Sequence, residues 1–118
     1  MQVLVTATYL QALDDAIAYL LDVGALSAAQ QLEMAMLDHW PELLSDHPHA
    51  GRDYAQRNLP TLLNEQIRAQ VLAMYGEGAE LREIIEGDYL ALYAIRNEAL
   101  YLLTVRHHRQ SGYEIIGA

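Results

Sequence analysis

The chain has 118 residues, of which seven are basic and sixteen acidic, so its formal net charge is −9 at pH 7. This length suits one domain over residues 1–118, and an apolar share of 53% predicts a packed core rather than disorder. The absence of cysteine excludes disulfides and thiolate sites, and the lack of a basic signal start or a membrane-length apolar run favours a cytoplasmic, membrane-free protein.

The first half of the chain predicts a strand followed by a helical hairpin. Residues 1–7 are apolar and β-branched, as in a strand. Two capping boxes, Thr8 to Gln11 and Ser27 to Gln30, predict the helix starts, and Gly24 suits the end of the first helix. Apolar residues at helical spacing follow each box: Leu10, Leu13, Ile17, Leu20 and Leu21, then Leu32, Met36, Trp40 and Leu43.

Two interruptions follow in the chain. Pro41 cannot donate to the carbonyl of Leu37, which predicts a kink or a restart of the second helix. Residues 46–58 have the composition of a loop. A further helix is predicted from about Pro60 to Met74, with Pro60 in its first turn. Its apolar face is Leu63, Ile67, Val71 and Met74.

The second half predicts antiparallel strands over residues 80–85, 89–96 and 99–106. The turns are Glu86 to Asp88 and the pair Asn97-Glu98, the second of which is typical of a tight hairpin. One face of the middle strand carries Tyr89, Ala91, Tyr93 and Ile95, and the other carries Leu90, Leu92 and Ala94. Both faces are apolar, so both should be covered, one of them by the helical hairpin. The predicted class is α+β, with helices on one side of a mainly antiparallel sheet of three or four strands.

Charge is distributed unevenly between the two halves. Residues 1–51 contain seven acidic residues and no basic ones, a net charge of −7, whereas residues 52–118 contain seven arginines and nine acidic residues, a net charge of −2. Lysine is absent. Because phosphate contacts need an electropositive face, direct nucleic-acid binding is not expected. The acidic residues of the hairpin are interpreted as a solvated face.

Two histidine groups are candidate ligands or catalysts. His47 and His49 lie in the loop, and His107 and His108 follow one another at the end of the last strand. A zinc site needs three or four ligands, and the sequence places no third group beside either pair, so no metal is expected. Successive strand residues face opposite ways, so without a bulge only one of His107 and His108 can join Arg106 or Arg109 on one face.

The second half also supplies a possible functional patch. Arginine can clamp a phosphate or carboxylate with two donors, and histidine or tyrosine can act as a general acid or base. The candidate binding residues are Arg82, Tyr89, Tyr93, Arg96, Arg106, Arg109 and Tyr113, and the candidate catalytic residues are Arg82, Arg106, His107, His108 and Arg109. The alternative for the tyrosines Tyr89, Tyr93 and Tyr101 is core or cross-strand packing.

The order of these motifs resembles the ParE branch of the RelE/ParE toxin superfamily, also described as plasmid-stabilisation proteins. The resemblance lies in the loop from His47 to Arg52, the strand pair from Leu81 to Ile95, and the stretch from Val105 to Gln110. It covers about residues 3–111, and the segment 60–74 resembles an insertion found in a subset of the family.

The resemblance implies the toxin of a type II toxin–antitoxin system. Its partner would be a cognate antitoxin, and its inherited target DNA gyrase, inhibited by binding and without a cofactor. A RelE-like, metal-independent ribonuclease that cuts mRNA in the ribosome is the alternative, but Leu81, Glu83 and Ile84 stand where that branch would need basic residues. A third interpretation is a non-toxic interaction module. Whether the protein forms a homo-oligomer stays open, as does the role of residues 113–118.

Overall fold

A computed structural model describes residues 1–54, 61–110 and 112–113 of the protein. The elements in chain order are β1 (Gln2–Val5), α1 (Ala7–Asp22), α2 (Leu26–Met34), a π-helical segment (Ala35–His39), α3 (Trp40–Asp46), β2 (Arg52–Asp53), α4 (Leu62–Tyr75), β3 (Glu80–Glu86), β4 (Tyr89–Arg96) and β5 (Ala99–His107). The predicted α+β class is therefore confirmed. None of the helices within the described residues is both long enough and apolar enough to cross a membrane.

The strands form one sheet in the order β1-β5-β4-β3-β2. β1 lies parallel to β5, and all the other neighbours are antiparallel. The expectation of three or four strands was wrong, because Arg52–Asp53, predicted as loop, pairs with Glu83 and Arg82 and makes a fifth. This edge strand is only two residues long, too short for a period-two pattern to reveal it.

Helices cover both faces of the sheet, which corrects the prediction of helices on one side. One core cluster joins the helical hairpin to the face of β4 that carries Tyr89, Ala91, Tyr93 and Ile95. The second joins α4 to the face that carries Leu90, Leu92 and Ala94. The division of β4 into two apolar faces is confirmed, and it exists because each face has its own cover.

The helix starts differ from the two predicted capping boxes. α1 begins after Thr6, whose hydroxyl accepts a hydrogen bond from the backbone N–H of Tyr9, so Thr8 lies inside the first turn. α2 begins after Ala25 without a side-chain cap, because the turn at Gly24 (φ 78°) leads directly into the helix and leaves Ser27 within it. Gly24 itself takes the predicted left-handed position.

The apolar faces of the hairpin are narrower than predicted. On α1, Leu13 is buried as predicted, but Leu10 and Leu21, which were predicted on the same face, are exposed. Tyr9, which was not predicted on that face, is fully buried. In the second helical stretch Leu32 and Met36 are buried as expected; further along, Leu44 is buried and its predicted neighbour Leu43 is only partly so. α4 buries Ile67 and Val71 as predicted.

The restart expected at Pro41 is confirmed. The backbone N–H of Trp40 donates to the carbonyl of Ala35, five residues earlier, and α3 begins there with Pro41 in its first turn. Under this shifted pattern the carbonyl of Met36 would pair with the N–H of residue 41, which proline lacks. The buried hydroxyl of Tyr9 donates to that carbonyl instead, at 2.7 Å. Tyr9 therefore compensates for Pro41 and ties α1 to the second half of the hairpin.

The predicted start of α4 needs correction too. The hydroxyl of Thr61 caps the helix by accepting from the N–H of Asn64, so the helix begins at Leu62 rather than at about residue 60. Pro60, like the predicted loop from residue 55 to 58, lies outside the described residues.

Candidate functional site

The strand register of β4 and β5 assembles a cluster of polar side chains at one end of the sheet. Tyr89 pairs with His107, so the residues just beyond them, Asp88 and His108, also lie side by side. The N–H of His108 donates to the carbonyl of Asp88 at 2.8 Å. One nitrogen or oxygen from each of Asp88, His107 and His108 lies within 4.8 Å of the others.

The two histidine rings lie together, with centroids 4.5 Å apart. The strand rule that would send them to opposite faces does not apply, since β5 ends at His107 and His108 lies in the following turn. His107 packs edge-on against Tyr89 and accepts the N–H of Arg109 at its Nδ1. His108 Nδ1 lies 3.2 Å from the carbonyl of Asp88, and because a carbonyl can only accept, Nδ1 is the donor in this contact.

A β-bulge in β5 places Arg106 opposite Leu90, on the α4 face of the sheet. Leu92 pairs with Thr104 and Tyr93 with Leu102, so Leu103 is the extra residue and the alternation of β5 shifts by one. The Arg106 guanidinium lies 5.0 Å from the ring centre of Tyr113 and donates to the carbonyl of Gln110 at 2.6 Å. Arg106 therefore contacts the chain that follows β5 at both Gln110 and Tyr113.

A groove of about 1180 Å³ runs between α1 and the end of β5. Its helix side presents small and polar residues, among them Ala12, Asp15 and Ala16. Its sheet side includes Tyr89, whose pKa is raised by burial, and the turn from His107 to Gln110. The histidine cluster thus lies in the wall of this groove.

A second set of contacts fixes the loop between α3 and β2. The buried hydroxyl of Tyr93 accepts the N–H of Gly51 at 3.0 Å and donates to the carbonyl of Pro48 at 2.7 Å. Arg82 donates twice to the carbonyl of Gly51, from Nε at 2.9 Å and from Nη2 at 2.6 Å. Nearby, His49 Nε2 lies 3.0 Å from Oε2 of Glu80.

Gly51 is required by the close approach of these groups. A Cβ built on it would lie 2.6 Å from both the carbonyl oxygen of Glu83 and the hydroxyl of Tyr93, a distance that no real side chain tolerates. The next residue turns to the other sheet face, where Arg52 Nε lies 3.5 Å from the fully buried carboxylate of Glu83. The hydroxyl of Tyr113 donates to the same carboxylate at 2.5 Å. Glu83 thus joins β2 to the chain that follows β5.

The sequence matches the family of ParE toxins of type II toxin–antitoxin systems (parDE) over residues 3–112. The chain belongs to the ParE toxin family. This membership implies the toxin component of a type II system and an antitoxin as its partner. A search of curated proteins finds no match.

The segments that resemble the family are the ones that contact one another in this ParE-family toxin. Gly51, Arg82 and Tyr93 form one hydrogen-bonded unit on the hairpin face. Arg52 and Glu83 form an ion pair on the opposite face. These residues come from the loop and strand-pair motifs, so at these positions both motifs contribute contacts that hold the fold together.

The predicted site residues therefore divide between several places in this toxin. His107, His108 and Arg109 lie together at the end of β5, and Tyr89 lies beside His107, whereas the side chain of Arg106 lies on the other face of the sheet. Arg82 and Tyr93 hold the loop instead. Tyr113 lies beneath Arg106, and Arg96 stands beside Gly76 and Gly78 at the opposite end of β4, about 23 Å from Tyr89 at the usual strand rise.

Sequence reasoning missed two residues of this arrangement. Asp88 lies beside the histidines because of the register of β4 and β5. In the sequence, only its place after the turn residue Gly87 marked it as a residue at the end of the sheet. Glu83 shares a strand face with the apolar Leu81, two residues earlier, and this was the local sign that its carboxylate lies on a covered face. The packing alternative is confirmed for the tyrosines: Tyr89 and Tyr93 are buried in the core, and the ring of Tyr101 packs on Tyr75 of α4 with centroids 4.7 Å apart.

Proposed function

We propose that this toxin acts by binding a protein target, that the target is DNA gyrase, and that a cognate antitoxin neutralises it. The proposal rests first on family membership. It rests further on the groove between α1 and β5, where Tyr89 and Arg109 supply an aromatic wall and an exposed cation. Aromatic and arginine side chains are those that most often dominate protein–protein contacts.

The placement of Arg82 and Arg106 on opposite faces of the sheet is the single observation that favours binding over cleavage. Cutting RNA through its 2′-hydroxyl needs a base, an acid and a cation around one phosphate. Arg82 faces the hairpin side and donates to the loop carbonyls, whereas Arg106 faces the α4 side and lies over Tyr113. Two cations on opposite faces of a sheet cannot hold one phosphate.

One observation favours the alternative, a RelE-like ribosome-dependent mRNA endonuclease. His107 and His108 lie next to the exposed Arg109, so an acid, a base and a cation occur within one turn. Against it stand the formal charge of −9 and the acidic wall that Asp15 and Asp88 add to the same groove. A polyanion approaches such a surface poorly.

Expression of the chain without an antitoxin tests the proposal. We expect growth to stop, co-expression of the cognate antitoxin to restore growth, and primer extension to find no new mRNA ends. Arg109→Ala should weaken toxicity, whereas Arg68→Ala, an equally exposed arginine on α4 behind the sheet, should not. New mRNA ends would establish the nuclease instead, and normal growth at verified expression would leave the non-toxic interaction module.

A further inference from the structure

We propose that Asp88, His107 and His108 form a binding site for a divalent transition-metal ion, with Zn²⁺ as the ion to test. The three residues are the one group of at least three metal-ligating side chains found among residues 1–54, 61–110 and 112–113. Two imidazoles and one carboxylate are a donor set that zinc accepts, with water or another group in the remaining position.

The spacing of the donors suits such an ion after a small adjustment. Zinc binds nitrogen and oxygen at about 2.0–2.2 Å, so tetrahedral donors lie roughly 3.3 Å from one another. One donor atom of each residue already lies within 4.8 Å of the other two, before any ion draws them together. Asp88 and His108 are both exposed, with side chains 75% and 49% accessible, so they can move the remaining distance.

The backbone holds the three residues in place. His107 is the last residue of β5, and Asp88 lies in the turn just before β4, opposite His108. The His108 N–H donates to the Asp88 carbonyl, and the His107 N–H donates to the side chain of Gln110. The His108 Nδ1 also faces the Asp88 carbonyl, which leaves Nε2 for the metal. A metal-bound histidine commonly has its other nitrogen in such a hydrogen bond.

The backbone amide of Arg109 should report directly on metal binding at His107. Its N–H donates to Nδ1 of His107 at 3.1 Å. A metal on Nδ1 would take that lone pair, and a metal on Nε2 would require the ring proton to sit on Nδ1. Either way, the Arg109 amide loses its acceptor, so its resonance must move when the ion binds.

Titration of the untagged protein with Zn²⁺ tests the site by calorimetry and by amide spectra. We expect saturable binding of one ion and a shift of the Arg109 amide. His107→Gln and His108→Gln should each weaken binding more than about tenfold, since losing even an outer partner of a ligand costs 10–100-fold. Asp88→Asn should weaken zinc binding too. Because the Asp88 side chain is exposed, misfolding would not explain a loss of binding in this variant.

The loop histidine supplies the matched control. His49 is exposed and contacts Glu80, far along β3 from this cluster, so His49→Gln should leave zinc affinity and the Arg109 shift unchanged. Three results would overturn the proposal: no saturable binding, undiminished binding by the variant lacking both His107 and His108, or loss of binding in His49→Gln.

Discussion

Replacing Tyr93 by phenylalanine tests whether the loop before β2 is held as the structure indicates. The substitution keeps the buried ring and removes one hydroxyl, which leaves the buried N–H of Gly51 and the carbonyl of Pro48 without this partner. An unpaired buried polar group costs about 1–3 kcal/mol. Since Pro48 is only half-buried, we expect a loss of about 2–4 kcal/mol in the free energy of unfolding.

That loss is large enough to measure by thermal unfolding. Unfolding entropy of about 2.1 cal/mol/K per residue gives roughly 0.25 kcal/mol/K for this length, so each kcal/mol lowers Tm by about 4 °C. Tyr93→Phe should therefore lower Tm by about 8–16 °C. Tyr19→Phe is the control, because Tyr19 is 60% exposed and should change Tm by less than about 2 °C. A Tyr93→Phe protein as stable as the control would refute the role given to this hydroxyl.

Three further changes test other parts of the structure. Tyr9→Phe removes the hydroxyl that donates to the Met36 carbonyl and should cost about 1–3 kcal/mol in urea unfolding; an unchanged midpoint would contradict the compensation for Pro41. Gly51→Ala places a Cβ against backbone and should prevent normal folding, as circular dichroism would show, and a native spectrum with unchanged Tm would contradict it. Burial raises the pKa of Tyr54 to about 12, so the folded state keeps a proton that the unfolded state releases above pH 10; the contribution of Tyr54 to stability should be complete below pH 10 and fall by about 1.4 kcal/mol per pH unit from there to about pH 12. Tyr54→Phe should flatten that fall, and an equal slope in both proteins would show that Tyr54 does not contribute.

The strands were predictable because their signals are local. β4 alternates two apolar sets, and Asn97 takes the left-handed conformation (φ 57°) that the tight turn needs. The two-residue β2 and the cap at Ala25 gave no such signal. β2 is set by the pairing of Arg52 with Glu83, a tertiary contact that no local pattern encodes. The start of α2 follows from the turn at Gly24, whose glycine was recognised but whose direct continuation into the helix was not.

The candidate site was predictable in part for the same reason. His107, His108 and Arg109 are neighbours in sequence, so their association at the end of β5 needed only the strand boundary. Arg82 and Arg106 were grouped by residue type, and their separation depends on the face that each strand position occupies. For Arg106 that face is set by the bulge at Leu103, which an apolar run of this kind does not reveal.

A supercoiling assay with purified DNA gyrase tests the central claim most directly. The proposed binding mode predicts that the purified toxin slows supercoiling, that Arg109→Ala weakens this inhibition, and that Arg68→Ala inhibits as well as the native chain. The cognate antitoxin should abolish the inhibition. An unchanged supercoiling rate at a large excess of folded toxin would contradict gyrase as the target.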